Sequence, residues 1–245
     1  MKQSLFTMEH ARQLTADTYE LVLSGDTSAI TAPGQFVNIQ LPGKFLRRPI
    51  SICNWTKDAL LLLVRVVGEG THDLVRCVPG TELDVLSGLG NGFDLAKGGA
   101  HPILLGGGSG IAPLYGLAQR MLEAGIAPTV GLGFRSGGDA FYLEEFGKLG
   151  CRLMVATEDG SLGTKGFVTD LARHVPECGY AFVCGPTPML KAVHGLPQLT
   201  GGQFSFEARM GCGFGACMGC SVPTGNGYKR VCKEGPILYK EEIVW

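Results

Sequence analysis

The chain has 245 residues, of which 45% are apolar and 18% charged, with a formal net charge of −1. That composition supplies packed cores for one large domain or two ordinary ones and excludes a disordered chain. No Lys/Arg-rich run occurs, so the electrostatic footprint of a nucleic-acid binder is missing and no nucleic-acid partner is expected.

Met1–Gln13 carries charges and no apolar stretch of the signal-peptide kind, and the longest apolar run, Ala59–Val64, is too short to cross a bilayer. A soluble, cytoplasmic chain with no membrane partner is therefore expected. In residues 1–97, Gln35–Leu41 alternates as a half-buried strand does, and Leu60–Val67 and Thr81–Leu86 are further strand-like runs. Short strands broken by Gly and Pro predict an antiparallel barrel or sandwich. Between two of them lies Leu46-Arg47-Arg48-Pro49-Ile50-Ser51-Ile52. An arginine there can bind a pyrophosphate, and a serine hydroxyl can bond a ring or phosphate. Gly68-Glu69-Gly70-Thr71 offers backbone amides to the same group. Read alone, each segment is a weak signal and the arginines read more readily as a surface pair; the signal strengthens only together with the nucleotide loop and the cysteines.

From the soft break at Lys97-Gly98-Gly99 to about residue 200 the character changes. Ile103–Leu105, Thr129–Phe134, Arg152–Thr157 and Tyr180–Cys184 read as buried strands. Helix-like stretches lie between or after them at Leu114–Ala124, Phe141–Leu149, Phe167–His174 and Pro188–His194. Strand–helix alternation predicts a parallel sheet with helices on both faces. The first strand runs into Gly106-Gly107-Gly108-Ser109-Gly110-Ile111-Ala112-Pro113, where backbone amides at a helix start can meet a pyrophosphate. Ile111 stands where both the strict dinucleotide fingerprint and a hydrolase elbow need glycine, and no Gly-Lys-Ser/Thr is present, so an ordinary glycine-rich turn stays open as a reading. Glu158-Asp159-Gly160 follows another strand, where carboxylates suit ribose hydroxyls and oppose a 2′-phosphate. Cys184-Gly185-Pro186 ends a further strand, with Cys184 either packing or facing a ligand.

Residues 201–245 resemble neither zone. Cys212-x4-Cys217-x2-Cys220-x11-Cys232 has the plant-type spacing for a 2Fe–2S cluster, two thiolates per iron, although the last spacer is shorter than in plant ferredoxins. Gly211, Gly213, Gly215, Ala216 and Gly219 let backbone N–H groups approach the sulfurs. A four-cysteine zinc site is the competing reading, but zinc ribbons pair two short knuckles, and this loop does not. The other five cysteines are scattered and read as small core residues.

With these segments in hand, the chain resembles the ferredoxin–NADP reductase superfamily: Arg48-Pro-Ile-Ser51 matches its flavin motif, Gly107–Pro113 its nucleotide loop and Cys184–Pro186 its nicotinamide-side motif. LRRPISI, GEGT, GGGSGIAPL, EDGSLGTKGFVTDL, MGCGFGACMGC and YKRVCKEGPIL look like one branch, the electron-transfer subunits of type B dihydroorotate dehydrogenases. Ile50 stands where the wider superfamily usually has Tyr. The resemblance implies an α+β multidomain fold: an antiparallel β-barrel FAD domain (1–97), an α/β parallel-sheet nucleotide domain (98–200) and a small 2Fe–2S domain (201–245). It implies that FAD takes hydride from NADH and that electrons leave singly through the cluster to the FMN of a catalytic subunit, in an assembly of two plus two chains. The candidate cofactor residues are Arg48, Pro49, Ile50, Ser51, Leu63, Val64, Arg65, Gly70, Thr71, Gly107, Gly108, Gly110, Glu158, Asp159, Cys184, Gly185 and Pro186. The cluster ligands are Cys212, Cys217, Cys220 and Cys232. No catalytic side chain is assigned, and this chain is not expected to bind orotate. The alternatives are the same reductase serving a ferredoxin, hydrogenase or oxygenase, or a non-catalytic zinc module.

Overall fold

The computed structural model describes residues 1–245. Six antiparallel strands close into a barrel: β1 (Lys2–Gln13), β2 (Thr18–Gly25), β3 (Phe36–Ile39), β4 (Arg48–Trp55), β5 (Ala59–Arg65) and β6 (Glu82–Leu89), in spatial order 1-2-5-4-3-6. Closure removes the unpaired edges that an open sheet would expose. Alternate residues such as Phe6, Leu21, Ile39, Ile52 and Leu62 fill the interior. Helix α1 (Glu69–Val75) follows β5 and buries Leu74 and Val75 against the same core. The flavin segment is therefore itself a strand, β4, rather than a connection between strands. Arg48 and Pro49 hid this, because a proline is poor in a central strand and a charged pair breaks the alternation.

The outward faces of β4 and β5 are covered by the second layer. Helix α2 (Ile111–Glu123) lies on β4, and Gly116 makes the approach possible: a Cβ there would stand 2.5 Å from the Cys53 carbonyl oxygen. Cys53 and Leu63 join α2 in one buried core that spans barrel and sheet. At its rim Asn54 donates to Gln119 at 2.7 Å, and the Arg120 guanidinium lies 4.3 Å from the Trp55 ring centre.

The second layer is built on β7 (Ile103–Gly107), β8 (Thr129–Phe134), β9 (Arg152–Thr157), the short β10 (Thr164–Lys165) and β11 (Tyr180–Cys184), with α3 (Leu143–Leu149), α4 (Val168–Arg173) and α5 (Thr187–His194) in the crossovers. The sheet order is 10-9-8-7-11-12-15. Its last two strands, β12 (Gly201–Ser205) and β15 (Ile237–Tyr239), come from the segment set apart as a separate zone. The sheet thus continues past the boundary at residue 200. Only β15 runs antiparallel in it. No helix is long and apolar enough to cross a membrane.

Between β12 and β15 the chain forms the cysteine loop and a hairpin, β13 (Ser221–Thr224) with β14 (Gly227–Arg230). Phe36, Leu86 and Leu89 on the barrel pack against Cys220, Val231 and Cys232. Asn91 joins the two parts through its amide: Nδ2 donates to the carbonyls of Glu234 and Ile237, and Oδ1 accepts from Ile237 N–H.

Candidate functional site

The two arginines of the flavin segment have different surroundings. Arg47 is held by the barrel, with its guanidinium 2.8 Å from the Asp84 carboxylate and on the carbonyls of Asn38 and Asp84. Arg48 bonds only the carbonyls of Leu46 and Arg47 and closes no ion pair. It lies over the start of α1: a Cβ on Gly70 would stand 1.8 Å from Arg48 Nε. A free guanidinium over a glycine that opens a helix fits a diphosphate, so these residues fit FAD. Thr71 is occupied locally, its hydroxyl accepting from Val67 and Gly68 N–H. Pro49 and the exposed Ser51 share the outward face of β4, whereas Ile50 packs inside the barrel opposite Val37. On β5, Val64 is also in the barrel core, Leu63 faces α2, and Arg65 reaches the cleft described next.

The cleft, of about 490 Å³, opens along the C-terminal ends of the parallel strands, where open α/β sheets bind ligands. Gly107, Gly108 and Ser109 form its floor. Asp17, Thr18 and Arg65 line it from the barrel, with Arg65 Nε 2.8 Å from Asp17. Gly110 and Cys184 meet behind it: a Cβ on Gly110 would stand 2.2 Å from the Cys184 carbonyl oxygen, so the nucleotide loop and Cys184-Gly185 interlock only through glycine. Pro186 is in the lining, but Cys184 is buried, and desolvation pushes its thiol up to about 12. Cys184 is thus a packing residue here, with its main chain placed near the cleft.

At the other end of the cleft the two carboxylates separate. Glu158 lines it; Asp159 turns back to its own loop and accepts from Ser161 N–H and hydroxyl. Two lining residues were missed as a pair. Arg135 donates to Asp139 at 3.0 Å, and Ser136 holds the other Asp139 oxygen at 3.1 Å. Arg135 is therefore already matched by a carboxylate, whereas Lys165, whose stem lies beside Gly160, closes no ion pair. The Gly137-Gly138-Asp139 turn gave no sequence signal beyond a loop.

The four cysteines come together as two pairs. Cys212 Sγ accepts from the N–H groups of Ala216 (3.2 Å) and Cys217 (3.5 Å), and Cys232 N–H points at Cys220 Sγ (3.4 Å). Partial burial pushes the Cys212 thiol up, but hydrogen bonds from Cys217, Phe214 and Ala216 outweigh it and hold the thiol at about 6. Cys232 is pushed up to about 12, by burial first and then by its neighbour Cys220. Two thiol pairs, with N–H groups aimed at sulfur, fit a two-iron cluster. Cys217 is exposed, beside the exposed Phe214 and Met218. The loop is fastened to the barrel: Asn38 Nδ2 donates to the Cys212 carbonyl at 3.2 Å, and Asn38 is the register partner of Pro49. Asn38 Oδ1 is buried with no partner in the chain.

Comparison with known proteins agrees with this arrangement. Residues 207–244 match the family model described as the iron–sulfur cluster binding domain of dihydroorotate dehydrogenase B, and residues 104–195 match an oxidoreductase NAD-binding domain. The chain is 41% identical over 256 residues to the dihydroorotate dehydrogenase B (NAD(+)) electron transfer subunit of Shouchella clausii, covering 99% of this chain and 98% of that protein. It is 40% identical over 257 residues to the same subunit of Bacillus cereus (strain Q1), with the same coverage. Among solved structures, an NADH-dependent reduced ferredoxin–NADP oxidoreductase, studied for flavin-based electron bifurcation, superposes with a TM-score of 0.89 at 29% identity. That match covers 99% of this chain and 90% of the other. A ferredoxin NADP+ reductase from Neisseria gonorrhoeae with bound FAD and NADP shares the fold, with a TM-score of 0.67 at 15% identity over 79% of this chain and 89% of the other.

Proposed function

The chain belongs to the family of electron-transfer subunits of NAD-dependent dihydroorotate dehydrogenase B, and on that premise we propose how its parts divide the work. Residues 1–97 hold FAD, 98–200 dock NADH, and 201–245 hold a 2Fe–2S cluster from which electrons leave to the FMN of a separate catalytic subunit. That subunit interconverts dihydroorotate and orotate in pyrimidine biosynthesis. Two chains of each kind form a cytoplasmic heterotetramer. FAD supplies the step from two-electron hydride chemistry to single electrons, and the cluster carries those electrons onward.

The chain's own residues supply position and charge. Arg48 and the Gly70 backbone hold the FAD pyrophosphate, and Ser51 presents its hydroxyl on the same side of β4. Gly107, Gly108 and the start of α2 receive the NADH pyrophosphate. Glu158 takes the adenosine ribose, while Asp139 occupies Arg135, so the adenosine end of the cleft disfavours a 2′-phosphate and selects NADH. Cys212 with Cys217, and Cys220 with Cys232, each hold one iron. The observation that carries this reading is the Asn38 bond to the cysteine loop, one strand away from the flavin segment.

A second reading keeps the module and changes the acceptor to a ferredoxin; the superposition at a TM-score of 0.89 favours it. Relatives at 41% and 40% identity over nearly the whole chain weigh against it. Co-purification separates the two. NADH oxidation coupled to orotate reduction, appearing only when the catalytic subunit is added, is the expected result. Efficient ferredoxin reduction with no response to that subunit would favour the second reading.

A further inference from the structure

Behind the cleft, one buried hydrogen bond joins its two walls. Tyr142 lies just before α3, on the sheet side, and its hydroxyl donates to Glu20 Oε2 on barrel strand β2 at 2.6 Å. Both residues are nearly closed to solvent, at 4% and 8% exposure. Arg12 on β1 grips both oxygens of the same carboxylate, at 3.0 and 3.1 Å, and also approaches Glu145 of α3 at 3.6 Å. Burial pushes the Tyr142 hydroxyl far above its ordinary range, so it remains a donor. Tyr142 has a left-handed backbone, φ 65°, which a bulky residue adopts only when its surroundings impose it. Tyr115 holds its ring edge-on at 5.2 Å.

The neighbours of this bond give it a function. Phe141, adjacent to Tyr142, lines the sheet side of the cleft; Asp17 and Thr18, three and two residues before Glu20, line the barrel side. Glu20 is the register partner of Leu63 and Thr18 that of Arg65, so the same pair of strands carries both the bond and the barrel wall.

We propose that Tyr142 and Glu20 form a pin that sets the separation of the two walls of the dinucleotide cleft, and that they are positioning residues for hydride transfer between nicotinamide and flavin. The pin rests on the reading that NADH reduces a flavin across this cleft. Hydride transfer is steeply sensitive to alignment, so a small splay of the walls slows the step without removing either binding site.

The test uses the full-length, cofactor-loaded chain as wild type, Tyr142→Phe, Glu20→Gln, Glu20→Ala and the double variant Tyr142→Phe/Glu20→Ala. Rapid mixing with NADH gives the flavin bleaching rate at saturation, the long-wavelength nicotinamide–flavin charge-transfer absorbance, and the isotope effect with NADH deuterated at the transferred position. FAD content and AMP affinity are measured alongside. Tyr142→Phe and Glu20→Ala are each expected to slow bleaching about tenfold, weaken the charge-transfer band and change the isotope effect, with FAD content and AMP affinity unchanged. The double variant is expected to be no worse than either single one. Glu20→Gln, which keeps an acceptor for the tyrosine, is expected to stay near wild type. Should Tyr142→Phe fail to fold, Glu20→Ala against Glu20→Gln makes the same comparison from the barrel side. Wild-type rate, band and isotope effect in Tyr142→Phe and Glu20→Ala overturn the pin alone. A wild-type flavin that NADH does not bleach overturns the functional reading, and the pin with it.

Discussion

At the scale of single residues, neighbours decide which charged side chains are free to bind. Arg47 is satisfied by Asp84, and Arg48 is not. Arg48→Ala is therefore expected to weaken FAD retention by about 1.5–3 kcal/mol, the range for a hydrogen bond to a charged group. Flavin-to-protein ratio after dialysis measures it, and unchanged flavin content would show that the pyrophosphate lies elsewhere. Gly70→Val is expected to have the same effect by driving into Arg48. Asp139→Asn is expected to raise the NADPH-to-NADH ratio of kcat/KM by roughly three- to tenfold, a modest change because Arg135 is mostly exposed and solvent screens the pair. An unmoved ratio would leave discrimination with Glu158. Cys217→Ser and Cys220→Ser are expected to lose iron and sulfide, since thiolate is the fitting ligand. Cys151→Ser, outside the cysteine loop, serves as the control that keeps both. Spacing alone made the four cysteines legible, because ligand geometry fixes spacing. The Arg135–Asp139 pair was not legible, because a turn brings the two together and no motif records it.

At the scale of elements, the parallel strands were readable as apolar runs, since a sheet covered on both faces buries every residue. The strands that escaped notice are those with other partners. β2 carries Glu20 on its outward face, buried by the second layer rather than by the barrel. β12 begins Gly201-Gly202-Gln203, which reads as a loop, yet Gln203 is fully buried, bonding the Asp94 main chain and the Tyr180 hydroxyl. The Glu20 contact gives the molecule a pH signature. Burial pushes the Glu20 carboxyl up, but hydrogen bonds from Arg12 and Tyr142, with the charge of Arg12, outweigh it and hold the folded carboxyl below its ordinary range. The carboxylate thus adds stability above its unfolded value, and that stability is lost as pH falls through the folded one. Chemical denaturation at neutral pH and near pH 4 is expected to show a smaller acid-induced loss in Glu20→Gln than in the wild type. Parallel losses in both would mean that the carboxylate does not titrate with folding.

At the scale of the whole molecule, the order of the parts follows the order of the proposed electron path. The cleft is shared by sheet and barrel, the flavin segment lies on the barrel, and the cysteine loop is tied to the strand beside it by Asn38. The architecture was legible from composition shifts along the chain. What they could not show is that the chain returns after the cysteine loop to complete the sheet with β15, locking the last zone to both others. The most direct test of the account is rapid mixing of the isolated, cofactor-loaded chain with NADH, following flavin absorbance together with freeze-quench electron paramagnetic resonance of the iron. The account requires flavin bleaching first, a reduced 2Fe–2S signal following it, and no orotate reduction until the catalytic subunit is added. A cluster that stays oxidised while the flavin is fully bleached, or orotate reduction by the isolated chain, would contradict it.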